Sequence, residues 1–255
     1  MHVTCARHEG ELREAFRPLA ALPRNARQQP RPPELLLEEL LEGEEVSVET
    51  VTFQGETEVV GVTGKMLAGF PAFVEAGHMV PAQLAQSEAE AAVELARASL
   101  GAVGFDHGIA HTEVKLTSRG PRVVEINARL PGNYIPDLLR RVDGFDLAQA
   151  AVRLALGERP LVAPSGARVR SAAIRFLLAD CDGKIARIEG HELLERDPSL
   201  AAWHVSAVPG QAVRRPRDNG DYLGHVLAVD RPGPRARELA EAAASRIAVH
   251  VLPDA

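Results

Sequence analysis

The stretch Glu125-Ile126-Asn127-Ala128-Arg129 decides how the fold of this chain is interpreted. In an extended strand alternate side chains share a face, so Glu125, Asn127 and Arg129 point one way and the apolar residues between them point the other. Three polar groups in a row on one face are costly to bury unless each has a partner. The stretch therefore indicates either a solvated strand face with a surface ion pair or a strand that lines a site.

The residues before this stretch predict a strand that pairs with it. Residues 109–129 have the pattern of a hairpin whose turn lies at 117–121. Such a hairpin could bring Glu113 beside Glu125 and Asn127. The same face of the first strand also carries His111 and Lys115. The sequence thus predicts two carboxylates and one amide on a single surface.

Oxygen ligands of this kind suit Mg²⁺, which usually keeps several waters and takes substrate phosphates as its other ligands. Arg129 would then meet a phosphate or a carboxylate. The spacing between His107 and His111 is that of a zinc-ligand pair, but no thiolate or third ligand is evident in the sequence. Magnesium is therefore the favoured metal, and the solvated face remains the alternative.

The composition is that of an ordinary globular chain. Its 255 residues are 45% hydrophobic and 25% charged, which allows a sizeable core in one large domain or two smaller ones. A formal net charge of −6 argues against general nucleic-acid binding, and no apolar run approaches the ~20 residues that a membrane-spanning helix needs. Cys5 and Cys181 do not form a disulfide framework. We therefore expect a cytoplasmic protein with neither a nucleic-acid nor a membrane partner.

The remaining pattern predicts a mixture of helices and strands. Gln54-Gly55 lies between two Val- and Thr-rich runs and predicts a hairpin. Asp146 is expected to cap a helix. The other expected elements are helices over 9–22, 87–101 and 146–157, a buried strand over 35–41, a loop over 23–33, and a loop over 69–81 that carries Glu75 and His78.

A Pro-rich stretch over 158–166 marks the expected boundary between two units, residues 1–160 and residues 165–255. In the second unit, strands over 170–179 and 184–188 are expected to pair around Asp182-Gly183. Further strands are expected over 203–208 and 223–229, followed by a helix over 234–249. These elements give an α+β unit with a small antiparallel sheet.

Several motifs together resemble a known superfamily. Glu38-Glu39-Leu40-Leu41, with Gly43 and Glu45 after it, is similar to the nucleotide-clamping hinge of the ATP-grasp superfamily. Three further motifs resemble its carboxylate–amine (L-amino-acid) ligase branch: Gly61-Val62-Thr63-Gly64-Lys65, Pro71-Ala72-Phe73-Val74-Glu75-Ala76-Gly77-His78 and His111-Thr112-Glu113-Val114. The resemblance implies an α+β fold, with the C-terminal ATP-grasp subdomain over 1–160 and that branch's small C-terminal domain over 165–255.

The resemblance implies how ATP and a metal would be held. Glu38 would face the adenine amino group, the backbone near Glu39 and Leu41 would bind the adenine edge, and Glu45 would hold the ribose hydroxyls. One or two Mg²⁺ ions, with Mn²⁺ as a substitute, would bridge the ATP phosphates. The residues implied as metal ligands are Glu113, Glu125 and Asn127.

The resemblance also implies the chemistry. A carboxylate would attack the γ-phosphate of ATP, and an amine would then attack the resulting acyl phosphate to give an amide or peptide bond. Arg129 would stabilise the acyl phosphate and the tetrahedral intermediate, and Lys65 would approach the transferred phosphoryl group. Glu75 and His78 would line the amino-acid pocket, which Asn133 could shape. The substrates implied are small carboxylates and amines, such as amino acids.

One large part of the family pattern has no counterpart here. The family's N-terminal half, including a lysine-bearing strand and a Gly/Ser-rich loop over the phosphates, is not found in these residues. A truncated ligase, a natural fragment completed by a separate N-terminal subunit, and a module that no longer catalyses are all compatible with this, and a homodimer is possible. The intact hinge and metal residues favour truncation, so we expect little ligase activity from this chain alone. A non-catalytic nucleotide-binding or assembly subunit is the alternative function.

Overall fold

The computed structural model describes residues 4–24, 28–31, 34–68, 73–162 and 169–253. The strand that follows directly on the expected hinge forms the predicted hairpin: β1 (Glu44–Phe53) pairs antiparallel with β2 (Glu56–Ala68). Gln54 and Gly55 have positive φ values of 53° and 81°, as a two-residue turn of this kind requires.

Within the described residues, the other elements follow the chain to its end. The strands are β3 (Val74–Val80), β4 (Gly108–Thr117), β5 (Gly120–Asn127), β6 (Ser171–Leu177), β7 (Gly183–Glu189), β8 (Leu200–Val205), β9 (Ala212–Val213), β10 (Gly224–Asp230) and β11 (Ala248–Pro253). The helices are α1 (Glu9–Ala20), α2 (Gln86–Ala102), α3 (Ile135–Val142), α4 (Leu147–Ala155) and α5 (Ala236–Ala244). No described helix is both long enough and apolar enough to cross a membrane.

Eight strands form the main sheet in the order β5-β4-β1-β2-β3-β6-β10-β8, and every neighbouring pair is antiparallel. A smaller sheet has the order β11-β7-β9. The two faces of the main sheet differ because apolar and polar residues alternate along its strands. Val46, Val48 and Val114 are fully buried on one face, where they pack against Ala92 and Ala96 of α2.

Helices on the two faces of β6 form two further apolar clusters, because successive residues of a strand point to opposite faces. Leu138 and Leu139 of α3 are fully buried and pack with Ile174 of β6. Ala236 and Ala240 of α5 pack on Ala173 and Ala228 of β6 and β10. The helix expected after residue 234 ends at Ala244 and is followed by β11, while α3 is a helix that the sequence analysis did not predict.

The buried strand expected over 35–41 is wrong. These residues form no strand, and Leu36 and Leu37 are 83% and 71% exposed. An apolar run becomes a buried strand only where another strand can pair with it. The neighbouring β1 already has β2 and β4 on its two edges, so it offers this run no free edge.

The loop expected over 69–81 is also wrong, because β3 occupies most of it. Its polar residues and glycine hide the strand in the sequence, but β3 is paired with β2 on one edge and β6 on the other. Long-range pairing therefore overrides the local pattern here. Residues 69–72, which include Pro71, lie outside the described residues.

The strands over 170–179 and 184–188 do not pair with each other as expected. β6 instead pairs with β3 and β10, and β7 pairs with β11 and β9. The main sheet consequently continues from the first predicted unit into the second. The middle of the predicted boundary (163–168), parts of the 23–33 loop (25–27, 32–33) and the first three residues lie outside the described part of the chain.

The seam between β3 and β6 generates a stability prediction. A Cβ added at Gly77 would lie 2.3 Å from the backbone oxygen of Ile174, whereas one added at Gly101 in α2 would meet nothing within 4 Å. We expect Gly77→Ala to lower the free energy of unfolding by about 1–3 kcal/mol. Gly101→Ala, the matched control, should raise it by up to ~1 kcal/mol, because alanine restricts the unfolded chain. Urea unfolding measures both, and an unchanged Gly77→Ala variant would contradict this close approach.

Candidate active site

Lys65 lies at the centre of the polar face of the main sheet and binds carboxylates from three other strands. Its Nζ is 2.9 Å from Glu45 Oε1, 2.9 Å from Glu75 Oε1 and 3.1 Å from Glu113 Oε2. The Lys65 side chain is only 2% exposed. Lys115 Nζ lies 2.9 Å from the second oxygen of Glu45. We call Lys65, Lys115, Glu45, Glu75 and Glu113 the Lys65 cluster.

Mutual attraction keeps this cluster charged. Burial lowers the pKa of Lys65, but the three carboxylates outweigh burial and raise it above its ordinary value. Burial raises the pKa of Glu113, but the hydrogen bond from His111 and the charge of Lys65 bring it down to about 2. The pKa of Glu75 is also lowered, because Lys65 outweighs its burial. Both carboxyl groups are therefore ionised at neutral pH, and Lys65 is protonated.

A second polar group lies beneath Glu113. Glu49 is fully buried, and its carboxylate accepts hydrogen bonds from Ser47 Oγ (2.6 Å), Thr63 Oγ1 (2.8 Å) and His111 Nδ1 (2.9 Å). His111 Nε2 lies 3.1 Å from Glu113 Oε1. Burial lowers the pKa of His111, but the bonds to Glu113 and Glu49 raise it to about 9. Glu49 is not among the site residues predicted from the sequence, although its alternation with Glu45 places it on the polar face.

Glu75 is held by residues from distant segments. Its Oε2 accepts hydrogen bonds from Asn133 and from Asn219 Nδ2 (2.8 Å), and its N–H donates to Asn219 Oδ1 (3.2 Å). Its carbonyl oxygen accepts a bond from the Tyr222 hydroxyl (2.8 Å). Asn133 and Tyr134 have positive φ values of 48° and 67°, a strained conformation that is common at functional sites. Asn219 and Tyr222 carry no sequence signal that connects them with Glu75.

His78 is fully buried beside Glu75, and neither ring nitrogen has a hydrogen-bond partner in the described part of the chain. Its Nε2 lies 3.8 Å from Glu75 Oε2, and its ring meets Phe176 edge-on at 6.0 Å between centroids. Burial lowers the pKa of His78 to about 4, more than Glu75 raises it. The ring is therefore neutral at pH 7, with an unused lone pair.

The hairpin of β4 and β5 has the register that the sequence predicted. Glu113 pairs with Glu125, and His111 pairs with Asn127. Asn127 Nδ2 donates to Glu125 Oε2 at 3.0 Å. No three His, Cys, Asp or Glu side chains converge as a metal site within the described ranges. Two carboxylates with one amide oxygen nevertheless form a donor set that fits Mg²⁺, because this ion needs few protein ligands.

Arg129 lies outside the polar strand face, so that part of the prediction is wrong. β5 ends at Asn127, and the Arg129 N–H bonds to the Asn127 carbonyl in a bend. The exposed guanidinium donates to the Leu130 carbonyl at 2.9 Å. Arg129 lines a pocket of about 290 Å³ together with His107 and Leu154. His107 Nε2 lies 3.1 Å from the Leu154 carbonyl oxygen, so it belongs to this pocket rather than to a site with His111.

The expected nucleotide hinge lies in the extended segment before β1. Glu38 and Glu39 are exposed, and Leu41 is half-buried. Glu39 forms an ion pair with Arg119 in the turn between β4 and β5. The structure thus brings Lys65, Glu45, Glu75 and Glu113 into direct contact and places His78 and Asn133 beside them. Glu39 and Arg129 make their described contacts elsewhere, and Glu38 is exposed.

Comparisons with known proteins agree with this architecture. The ATP-grasp domain model matches residues 1–137, and the L-amino acid ligase C-terminal domain 2 model matches residues 175–252. The chain therefore belongs to the ATP-grasp family. The second match shows that residues 175–252 are similar to the C-terminal domain 2 of L-amino acid ligases.

The relatives are much longer than the region in which they align with this chain. Protein y4rH of Sinorhizobium fredii is 32% identical over 197 residues, which are 77% of this chain and 40% of that protein. Carnosine synthase 1 of Gallus gallus is 36% identical over 156 residues, 60% of this chain and 16% of that protein. The crystal structure of L-amino acid ligase from Bacillus licheniformis has a TM-score of 0.70 at 21% identity, covering 85% of this chain and 53% of that one. The chain thus spans about half or less of each of these proteins.

The Lys65 cluster generates a stability prediction. Lys65→Met leaves three partly buried carboxylates without their shared cation, so we expect a loss of about 3–5 kcal/mol in the free energy of unfolding. Lys184→Met is the matched control, because Lys184 is exposed on β7, and it should change stability by less than ~0.5 kcal/mol. Urea unfolding at pH 7 measures both variants. Equal stabilities would show that the Lys65 cluster is solvated.

His78 generates a pH prediction. Its pKa falls from 6.5 to about 4 on folding, so its stabilising contribution is complete above pH 6.5 and is lost as the pH falls towards 4. The wild-type chain should lose about 2 kcal/mol between pH 7 and pH 5 through this group. His78→Leu should remove that loss, whereas His204→Leu, at an exposed site on β8, should retain it. A wild-type slope that survives in His78→Leu would assign the pH dependence to another group.

Proposed function

We propose that this chain contributes the C-terminal part of the active site of an ATP- and Mg²⁺-dependent carboxylate–amine ligase. The observation that carries the proposal is the Lys65 cluster, in which two ammonium groups face three carboxylates on a sheet face that also holds Glu125 and Asn127. Amino acids are the proposed substrates, in agreement with the L-amino acid ligase domain match.

The reaction would proceed in two steps. A substrate carboxylate attacks the γ-phosphorus of ATP, the bond to the bridging oxygen breaks, and an acyl phosphate and ADP result. An amine then attacks the acyl carbon, phosphate leaves, and an amide or peptide bond forms. Positioning and charge neutralisation are the main tasks of the protein in both steps.

On the ATP side we assign roles to the residues that the family resemblance indicates. Glu38, Glu39 and Leu41 would bind adenine, and Glu45 would bind the ribose. Binding of ATP would require Glu45 to leave at least one of its two lysines, since both of its oxygens are ion-paired here. The freed charge of Lys65 could then face the transferred phosphoryl group.

Glu113, Glu125 and Asn127 would hold Mg²⁺, with Mn²⁺ as a substitute. When bound, the ion would neutralise charge on the ATP phosphates. Glu113 is well suited to this role because its lowered pKa keeps it ionised. Arg129 would stabilise the acyl phosphate, which requires its exposed side chain to turn from the Leu130 carbonyl.

Glu75 and His78 would bind the amine. The ionised Glu75 attracts an ammonium group, and the neutral His78 has a lone pair that could accept a hydrogen bond from it. Because the pKa of each group is lowered, both are weak bases, so their proposed task is to orient the amine. Asn133 would shape the pocket by fixing the orientation of the Glu75 carboxylate.

The exposed leucines before the hinge favour a second candidate function. Leu36 and Leu37 are largely exposed directly before Glu38 and Glu39. Such an apolar surface beside the proposed adenine site is typical of a contact with another polypeptide segment. The chain would then act as a nucleotide-binding or assembly subunit, and catalysis would depend on its partner.

Calorimetric titration of Mg-ATP into the purified chain tests the proposal. We expect binding that Glu125→Ala weakens at least tenfold and that Glu189→Ala leaves unchanged, because Glu189 lies on β7 in the smaller sheet. Equal binding by wild type and Glu125→Ala would contradict the metal assignment. ADP formation that depends on an added amino acid would favour the ligase over the assembly subunit.

A further inference from the structure

A continuous line of hydrogen bonds runs from the interior of the main sheet to Glu113. Ser47 and Thr63 donate to Glu49, Glu49 is bound to His111 Nδ1, and His111 Nε2 is bound to Glu113. Glu49 and His111 pair directly across β1 and β4. The reaction described above assigns no role to Glu49 or His111.

Burying Glu49 and His111 costs free energy, so their presence in the interior needs an explanation. Glu49 is 0% exposed and His111 is 3% exposed. Apolar residues of similar volume commonly replace a buried ion pair with no loss of stability, and sometimes with a gain. Stability alone therefore does not explain a carboxylate at position 49. The hydrogen-bonded connection from Glu49 to Glu113 offers a better explanation.

The line of hydrogen bonds ends at the carboxylate of Glu113, and the orientation of this carboxylate matters. Glu113 Oε1 is bound by His111, and Glu113 Oε2 is bound by Lys65 at 3.1 Å. With both oxygens held, the carboxylate plane of Glu113 is fixed. Because ionised carboxylates only accept hydrogen bonds, each ring nitrogen of His111 must donate one, and the ring cannot turn without losing both.

We propose that Glu49 and His111 are positioning residues that hold the carboxylate of Glu113 in the orientation in which it binds a divalent cation. Glu49 fixes the imidazole, and the imidazole fixes Glu113. The proposal rests on the proposed function for the identity of the cation, but the hydrogen-bonded line itself does not. Hydrogen-bonded partners of metal ligands commonly act in this way.

The first measurement tests the line without any ligand. In the ¹⁵N-labelled full chain, His111 should give two slowly exchanging ring N–H signals in the NMR spectrum. Glu49→Gln should shift mainly the Nδ1–H signal, and Glu113→Gln should shift mainly the Nε2–H signal. The absence of protected His111 ring protons in the wild type, or an unchanged spectrum in Glu49→Gln, would overturn the proposal.

The second measurement tests whether this line of hydrogen bonds supports the binding of a divalent cation. Mn²⁺ is titrated in the presence of ATP, and the free ion is followed by electron paramagnetic resonance. Glu49→Gln should weaken Mn²⁺ binding by about 10–100-fold. Thr112→Val is the matched control, because Thr112 is a buried neighbour on β4 whose hydroxyl has no partner in the described residues, and it should bind Mn²⁺ within about twofold of wild type.

The outcomes separate the two hypotheses. Equal Mn²⁺ affinity in wild type and Glu49→Gln overturns the positioning role while leaving the proposed function intact. No Mn²⁺ binding by the wild type overturns the metal role together with the proposed function, and the ring-proton spectrum then shows whether the line exists. If Glu49→Gln does not fold, Thr63→Val removes one donor to Glu49 and should give an intermediate loss of Mn²⁺ affinity.

Discussion

The ion pairs of Lys65 are the interaction on which the rest of this structure depends. Four strands meet at its ammonium group: β2 carries Lys65, while β1, β3 and β4 carry its carboxylate partners. A buried ammonium without these partners would lose its charge or disrupt the fold. The partners in turn would repel one another without Lys65. Charge balance therefore requires these four strands to lie in one register.

The other face of the same strands forms part of the apolar core. Val46 and Val48 alternate with Glu45, Ser47 and Glu49 along β1, so the residues that support α2 and the residues that form the site belong to one pattern. A slip of one residue would place valines in the polar face and carboxylates against the helix. Apolar packing and charge pairing thus favour the same register, which explains how so many charged groups can be buried on a sheet.

The parts of the fold that could be predicted are those specified by local pattern. The turn at Gln54-Gly55 gives the first hairpin, and alternation around Glu113 and Glu125 gives the second. β3 could not be found in this way, because its polar residues and Gly77 conceal a strand that only its neighbours stabilise. Family resemblance indicated most of the candidate residues. It did not indicate Glu49, whose partners become evident only when strand register is known.

The C-terminal region is part of the candidate site and is not merely adjacent to it. β6 pairs directly with β3, the strand that carries Glu75 and His78. Asn219 and Tyr222, from the same region, bind the carboxylate, the N–H and the carbonyl of Glu75. The two family models divide the chain between residues 137 and 175, but hydrogen bonds and the main sheet cross that interval. Because Glu75 is held from both sides, any change in how the C-terminal region packs will alter the geometry of the proposed amine pocket.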